Sequence, residues 1–244
     1  MKPHLILPMG GAGSRFFRNG YVVPKPLIQI EDKPFFYWSA MSVRKFVEVI
    51  DTTFVTLRQH VEQYEIDQII YRYFPDARLI VLPEILPGPV YTCLESVRDI
   101  EDDAPIIFND CDHMFRSTAM NNIFKDETID FDGALFTFPS SEPQFSYVEY
   151  DAAGCVTGTA EKKVVSDQAI CGAYLFRNVT VFRMTAEKYI RNCTYSECFM
   201  SGLYNVLCTE GKRVVTYPLD FHIEFGTPEE YEKARKSSHF LEMK

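Results

Sequence analysis

Short apolar runs recur along the first half of the chain at His4–Met9, Thr52–Leu57, Arg78–Leu82 and Pro105–Asn109. Between them lie the helix-like stretches Phe35–Val47, His60–Tyr73 and Val90–Ile100. That alternation predicts βαβ units and a parallel sheet. Beyond Asp132 the pattern changes: GALFTFP, SYVEYD, CVTGTA and AICGAYLF read as strands joined by short turns, a mixed or antiparallel arrangement. Asp151-Ala-Ala-Gly154 forms a four-residue turn, so Tyr147–Tyr150 and Cys155–Thr159 are expected to make a hairpin. Helices at Thr180–Arg191 and Ser196–Cys208 and a strand at Arg213–Tyr217 follow. The closing helix has Thr227 as N-cap, Pro228 at its first position and acids in its first turn.

Composition narrows the class. With 244 residues, 46% of them hydrophobic, the chain can bury a full core without disulfide or metal, and a single domain over 1–244 is expected. A formal net charge of -9 argues against a nucleic-acid or anionic-membrane partner, so any phosphate site must be a local basic cluster. The seven cysteines are scattered from Cys93 to Cys208 without a C-x-x-C pair, which fits a reducing cytoplasm. No stretch has the pattern of a signal peptide or approaches the ~18 apolar residues of a membrane span.

The first strand breaks into Gly10, Gly11 and Gly13 and then presents Arg15. A glycine-rich turn after a buried strand lets backbone N–H groups approach a phosphate. The dinucleotide pattern would need glycine at Phe16, and the P-loop would need Gly-Lys-Ser/Thr where Arg15 and Phe16 stand. Downstream, Pro24 and Pro26 hold Lys25 in a stiff segment. After the fourth strand comes Asp110-Cys-Asp112, whose period of two places both carboxylates on one face if the strand continues, an oxygen pair suited to a hard divalent cation. His113 and His222 flank the acids and are expected to pack or hydrogen-bond; Phe35-Phe-Tyr-Trp38 is expected in the core.

Taken in order, these motifs resemble the nucleotidyltransferases that make nucleoside-diphosphate sugars and related activated phosphates. LPMGGAGSRF, PKPL, NDCDHMF, Glu161-Lys162 followed by CGAYLF, and EFGTPEEY are each similar to a signature of that family, and the resemblance spans nearly the whole chain. It implies an α/β fold of three layers, Rossmann-like, around a central mixed, mostly parallel sheet. Residues 1–130 would be the nucleotide-binding half and 131–244 the acceptor-binding half, in a short form without an extra C-terminal domain. Gly10, Gly11, Gly13 and Ser14 would wrap a nucleoside triphosphate, with Glu84 and Gly88 against its base. Arg15 and Lys25 would be catalytic, lying on the phosphates. Asp112 and Glu224 would hold Mg²⁺, with Asp110 behind them, and Glu161, Lys162, Gly172 and Tyr147 would meet the acceptor. Glu224 stands where the family has aspartate, and Pro87-Gly-Pro89 stiffens the base-side loop.

The implied reaction moves a nucleoside monophosphate from the triphosphate to a phosphorylated small acceptor and releases pyrophosphate. A sugar 1-phosphate is the leading acceptor and a non-sugar phosphomonoester, phosphocholine-like or phospho-amino-acid-like, the alternative. A metal-dependent glycosyltransferase and a non-catalytic nucleotide sensor remain as rivals. Base, acceptor and oligomeric state stay open, a homo-oligomer included.

Overall fold

The computed structural model describes residues 1–125 and 129–244. β1 (His4–Pro8) leads into α1 (Ser14–Arg18), a 3-10 turn at Lys25–Leu27, and a small hairpin of β2 (Gln29–Ile30) and β3 (Lys33–Pro34). Then follow α2 (Phe35–Arg44), β4 (Thr52–Leu57), α3 (Arg58–Tyr64), α4 (Ile66–Tyr73), β5 (Arg78–Leu82), α5 (Pro89–Ser96) and β6 (Ile106–Asn109). The remainder runs β7 (His113–Arg116), α6 (Thr118–Ile123), β8 (Gly133–Pro139), β9 (Tyr147–Tyr150), β10 (Val156–Ala160) and β11 (Gln168–Phe176). It closes with α7 (Val179–Asn192), α8 (Ser201–Thr209), β12 (Val214–Pro218), β13 (Phe221–Glu224), α9 (Pro228–Ala234) and α10 (His239–Met243).

Among the described residues, nine strands share one sheet, in which β10, β9, β11, β6, β1, β4 and β5 lie in that order while β8 joins β11 to β12. β1 runs parallel to β4 and β6, as β4 does to β5 and β12 to β8; β11 is antiparallel to β6, β8 and β9. Successive residues of the strands point to opposite faces. Ile6, Val55 and Phe108 therefore pack with α5, α7 and α8, whereas Leu5, Leu7, Phe54 and Ile107 pack with α2 and α4. Helices cover both sides of a mixed, mostly parallel sheet. Among the described residues, no helix is long and apolar enough to cross a membrane.

A third apolar cluster positions the site. Phe16, Phe35, Trp38, Phe225, Phe240 and Met243 bury one another, with the Phe35 and Phe225 rings 4.5 Å apart. This draws the chain after β13 onto α1 and α2. A separate antiparallel pair, β7 with β13, sets Glu224 opposite His113, and the Phe225 N–H donates to the Asp112 carbonyl at 2.9 Å.

Three expectations need correction. The helix expected over His60–Tyr73 is two, because Glu65 takes φ 50° between α3 and α4; no glycine or proline marks the break, and Ile66 and Ile70 are buried beyond it. The helix expected from Ser196 starts at Ser201. β6 stops at Asn109, so Asp110-Cys-Asp112 is a connection into β7 and not a continuing strand. The closing helix does carry its full capping box, Thr227 with Glu230.

Candidate active site

The carboxyl ends of β1 and β6 open into a cavity of about 700 Å³ lined by Arg15, Asp110, Asp112, Glu161, Lys162, Gly172 and Glu224, among others. A second cavity, of about 320 Å³, lies along the glycine turn, with Gly10, Gly11, Ala12 and Thr92 on one side and Leu86–Pro89, Ser196 and Glu197 on the other. Asp110 and Pro89 line both. This is the edge where parallel sheets place ligands.

At the junction, Lys25 Nζ donates to Asp112 Oδ2 at 2.8 Å. Burial acts to lower the Lys25 pKa, but the facing Asp112 carboxylate outweighs it and raises the value. Burial acts to raise Asp112, and Lys25 pulls it below the ordinary carboxylate value. Asp110 lacks such a partner: burial first, and then the Asp112 charge, push it up to about 7. Glu224 goes to about 8 through burial and the adjacent Glu230.

Two glycines keep these carboxylates in place. The pairing of β11 with β8 slips between Ile170 and Tyr174, and within that stretch Gly172 adopts φ 88°, its carbonyl accepting the Asp110 N–H at 3.0 Å. A Cβ at Gly172 would stand 2.8 Å from Asp110 Oδ2. At Gly226 a Cβ would come within 2.5 Å of Asp112 Oδ2, so glycine there leaves that oxygen the room to meet Lys25. Mg²⁺ is satisfied by one or two carboxylates together with water and phosphate oxygens, and two carboxylates on adjacent strand ends with an open face fit that demand. Among the described residues, no group of three or more His, Cys, Asp and Glu side chains forms a metal cluster.

Both flanking histidines are hydrogen-bonded. Asn109 Nδ2 donates to the Ser39 carbonyl at 2.9 Å, which leaves Oδ1 to accept from His113 Nε2 at 2.9 Å. His113 Nδ1 is then an acceptor, and His222 Nε2–H donates to it at 3.1 Å. Burial depresses His113 to about 4 and His222 well below the usual imidazole value, so both rings are neutral. His222 Nδ1 ends the chain as a bare acceptor.

On the wall of the larger cavity, Glu161 Oε2 accepts hydrogen bonds from Ser146 and, at 2.9 Å, from Ser201. Lys162 takes φ 52°, its ammonium 3.8 Å from Glu161 Oε1 and 4.7 Å from the Phe199 ring centre. The sequence pointed to Glu161 but not to the two serines: Ser146 precedes a strand, Ser201 opens a helix, and only folding brings them to one oxygen. Tyr147 does not line the cavity. Its side chain is fully buried and its hydroxyl donates to the Glu142 carbonyl at 2.7 Å, so it pins the loop beneath the wall. Glu84 is exposed and lines neither cavity, whereas Gly88 lines the smaller one. Gly13 and Ser14 also lie outside both linings; a Cβ at Gly13 would stand 3.4 Å from Lys25 Cβ.

No protein-family model matches the chain and no curated protein matches it. Solved structures do. The nucleoside-diphosphate-sugar pyrophosphorylase from Vibrio cholerae RC9 superposes with a TM-score of 0.81 at 21% identity, covering 96% of this chain and 100% of that one. The chain has a nucleotidyltransferase fold. The inositol-1-phosphate CTP transferase from T. maritima shares this nucleotidyltransferase fold with a TM-score of 0.74 at 16% identity, covering 100% of this chain and 94% of that one. So does a protein assigned as a glucose-1-phosphate thymidylyltransferase from Bacillus anthracis, solved with sucrose, at 0.76 and 15% identity over 96% and 94% of the two chains. With matches spanning 96 to 100% of this chain, the likeness extends over both the alternating half and the mixed half.

Proposed function

We propose that this protein transfers a nucleoside monophosphate from a nucleoside triphosphate to a small phosphorylated acceptor and releases pyrophosphate. The observation that carries the proposal is the junction of the two cavities, where Asp110 lines both and the Lys25–Asp112 pair stands beside it. A triphosphate laid along the glycine turn and a phosphate lying against Glu161, Lys162 and Gly172 would meet there. The structural neighbours support it, among them a nucleoside-diphosphate-sugar pyrophosphorylase, an inositol-1-phosphate CTP transferase and a protein assigned as a glucose-1-phosphate thymidylyltransferase.

In this proposal Gly10, Gly11, Gly13 and Ser14 wrap the triphosphate, Gly88 borders the base, and Arg15 and Lys25 neutralise the phosphates. Asp112 and Glu224 would hold Mg²⁺, which when bound supplies positive charge to the phosphate oxygens. The acceptor phosphate oxygen attacks the α-phosphorus and pyrophosphate departs. The attacking group repels the triphosphate at the start and charge builds on the leaving group, so the work of Arg15, Lys25 and Lys162 is alignment and neutralisation. A phosphomonoester, with a second pKa of about 6, is already ionised near neutrality, and no general base is required. The neutral, mutually bonded His113 and His222 agree with that.

The test is a matrix of the common triphosphates against sugar 1-phosphates and non-sugar phosphomonoesters, with pyrophosphate release as the signal. Release that needs both substrates, and that falls about tenfold or more in Arg15→Ala, supports the reading. Sugar transfer from a nucleotide sugar with no pyrophosphate would overturn it in favour of a glycosyltransferase.

A further inference from the structure

Beyond Glu224 the large cavity continues into a side lobe of about 340 Å³ between the loop before β9 and α9, lined by Phe138, Glu142, Phe145, His222, Glu230 and Lys233, among others. The lobe lies beyond the carboxylates proposed to hold the metal, on the side away from the glycine turn, and it shares Glu142, Phe145, His222, Glu224, Glu230 and Lys233 with the main cavity. It is where the far end of an acceptor would lie.

Three of its polar groups are carboxylates, beside Ser140, Gln144, His222, Lys233 and Ser237. Glu142, Glu224 and Glu230 bring carboxylates to it, and among the described residues none of the three is within ion-pair distance of a lysine or arginine. Glu230 is held in orientation by the Thr227 N–H at 2.9 Å and by Gln144 Nε2 at 3.2 Å. The Glu142 backbone is pinned by the Tyr147 hydroxyl. An independent feature points the same way. The His222 side chain is only 4% exposed, and its Nδ1 has no hydrogen-bond partner, with Glu224 Oε1 3.4 Å away. The bonding chain from Ser39 through Asn109 and His113 makes that nitrogen an acceptor.

We infer that the acceptor carries an ammonium group at the end opposite its phosphate, and that Glu142, Glu230 and His222 Nδ1 receive it. This rests on the nucleotidyl-transfer reading of the site. A sugar hydroxyl can donate one hydrogen bond to a carboxylate but brings no positive charge to offset it. An N–H-bearing ammonium presents donors only and is cationic, matching the Glu142 and Glu230 carboxylates and the His222 Nδ1 acceptor. The Phe138 and Phe145 rings, 5.2 Å apart, add an apolar flank against which the carbon skeleton can lie. Lys233 is the lobe's cation and lies on the exposed side of α9, within ion-pair distance of none of these acids.

Two sources supply that chemistry, an amino-sugar 1-phosphate and an aminoalkyl phosphate, and each has a neutral twin. The experiment measures kcat/KM by pyrophosphate release for glucosamine 1-phosphate against glucose 1-phosphate, and for phosphoethanolamine against 2-hydroxyethyl phosphate, with each common triphosphate. Phosphocholine, which has the charge but no N–H, is a fifth acceptor. The expected result is a preference of about tenfold or more for the ammonium member of one pair, weaker use of phosphocholine than of phosphoethanolamine if the aminoalkyl pair is the one preferred, and a preference cut at least about fivefold in Glu142→Gln. Glu142 lies on an exposed loop, and Glu230→Gln, which keeps the capping geometry, is the second variant. Pyrophosphate release with the neutral twin equal or better in both pairs overturns the inference and leaves the nucleotidyl-transfer reading standing. A preference unchanged in both variants overturns the placement of the ammonium. No release from any combination overturns both.

Discussion

At the amino ends of the parallel strands, His4 sets Nδ1 2.9 Å from Asp51 and Nε2 3.1 Å from Asp102, while Arg78 reaches the other Asp51 oxygen at 3.4 Å. At the carboxyl ends, Lys25 answers Asp112 alone, and Asp110 and Glu224 are left with raised pKa values. Each carboxylate of the first cluster has a cationic partner; the second holds more negative charge than it can neutralise. A cluster that is complete in itself contributes to folding. One that is incomplete spends stability on a site whose missing charge must come from a ligand.

Breaking the incomplete cluster should have the largest effect. Asp112→Asn removes the partner of Lys25 and one proposed metal oxygen together, and turnover by pyrophosphate release should fall by roughly 10²- to 10³-fold while far-UV circular dichroism stays native. A variant within a few-fold of the parent would move the chemistry away from Asp112. Breaking the complete cluster should do the reverse. His4→Ala leaves Asp51 short of a partner and should lower stability by about 2 kcal/mol in denaturant titration, with both Michaelis constants unchanged.

Smaller changes sharpen the contrast. Ser201→Ala removes one of the two hydroxyls on Glu161 Oε2, worth about 1 kcal/mol. It should raise the acceptor Michaelis constant about fivefold and leave that for the triphosphate alone; equal effects on both would detach Glu161 from the acceptor. The least effect is on pH dependence. Hydrogen bonding to Asp51, opposed by burial, raises the His4 pKa above 6.5. Its contribution is therefore complete below the unfolded value and is lost as pH rises through the higher folded value. Thermal midpoints measured from pH 6 to 9 should fall by a few degrees at most, and His4→Ala should remove that component.

The sequence by itself determined the elements that local pattern dictates. β4 and β5 match their expected bounds, because apolar runs of that length in an α/β alternation have few other uses. The Tyr147–Tyr150 hairpin strand and the Thr227 cap were equally legible, each written in contiguous residues. So were Arg15, Lys25, Asp112, Glu161 and Glu224 as candidates, since short motifs in a fixed order mark them.

Tertiary structure alone decided how those residues are used. The sequence made Asp110 and Asp112 a pair on one strand face; the early end of β6 and the Gly172 carbonyl separated them into a carboxylate held by Lys25 and one without a cation. Nothing local distinguishes Ser146 and Ser201 from other serines, or Tyr147 as a loop anchor from Tyr147 as a wall. β7 and β13 escaped notice because each is a four-residue strand whose partner is about a hundred residues away. Local pattern reports what a segment can form. Which groups face one another is settled by contacts between segments far apart in sequence, where burial and charge act through space.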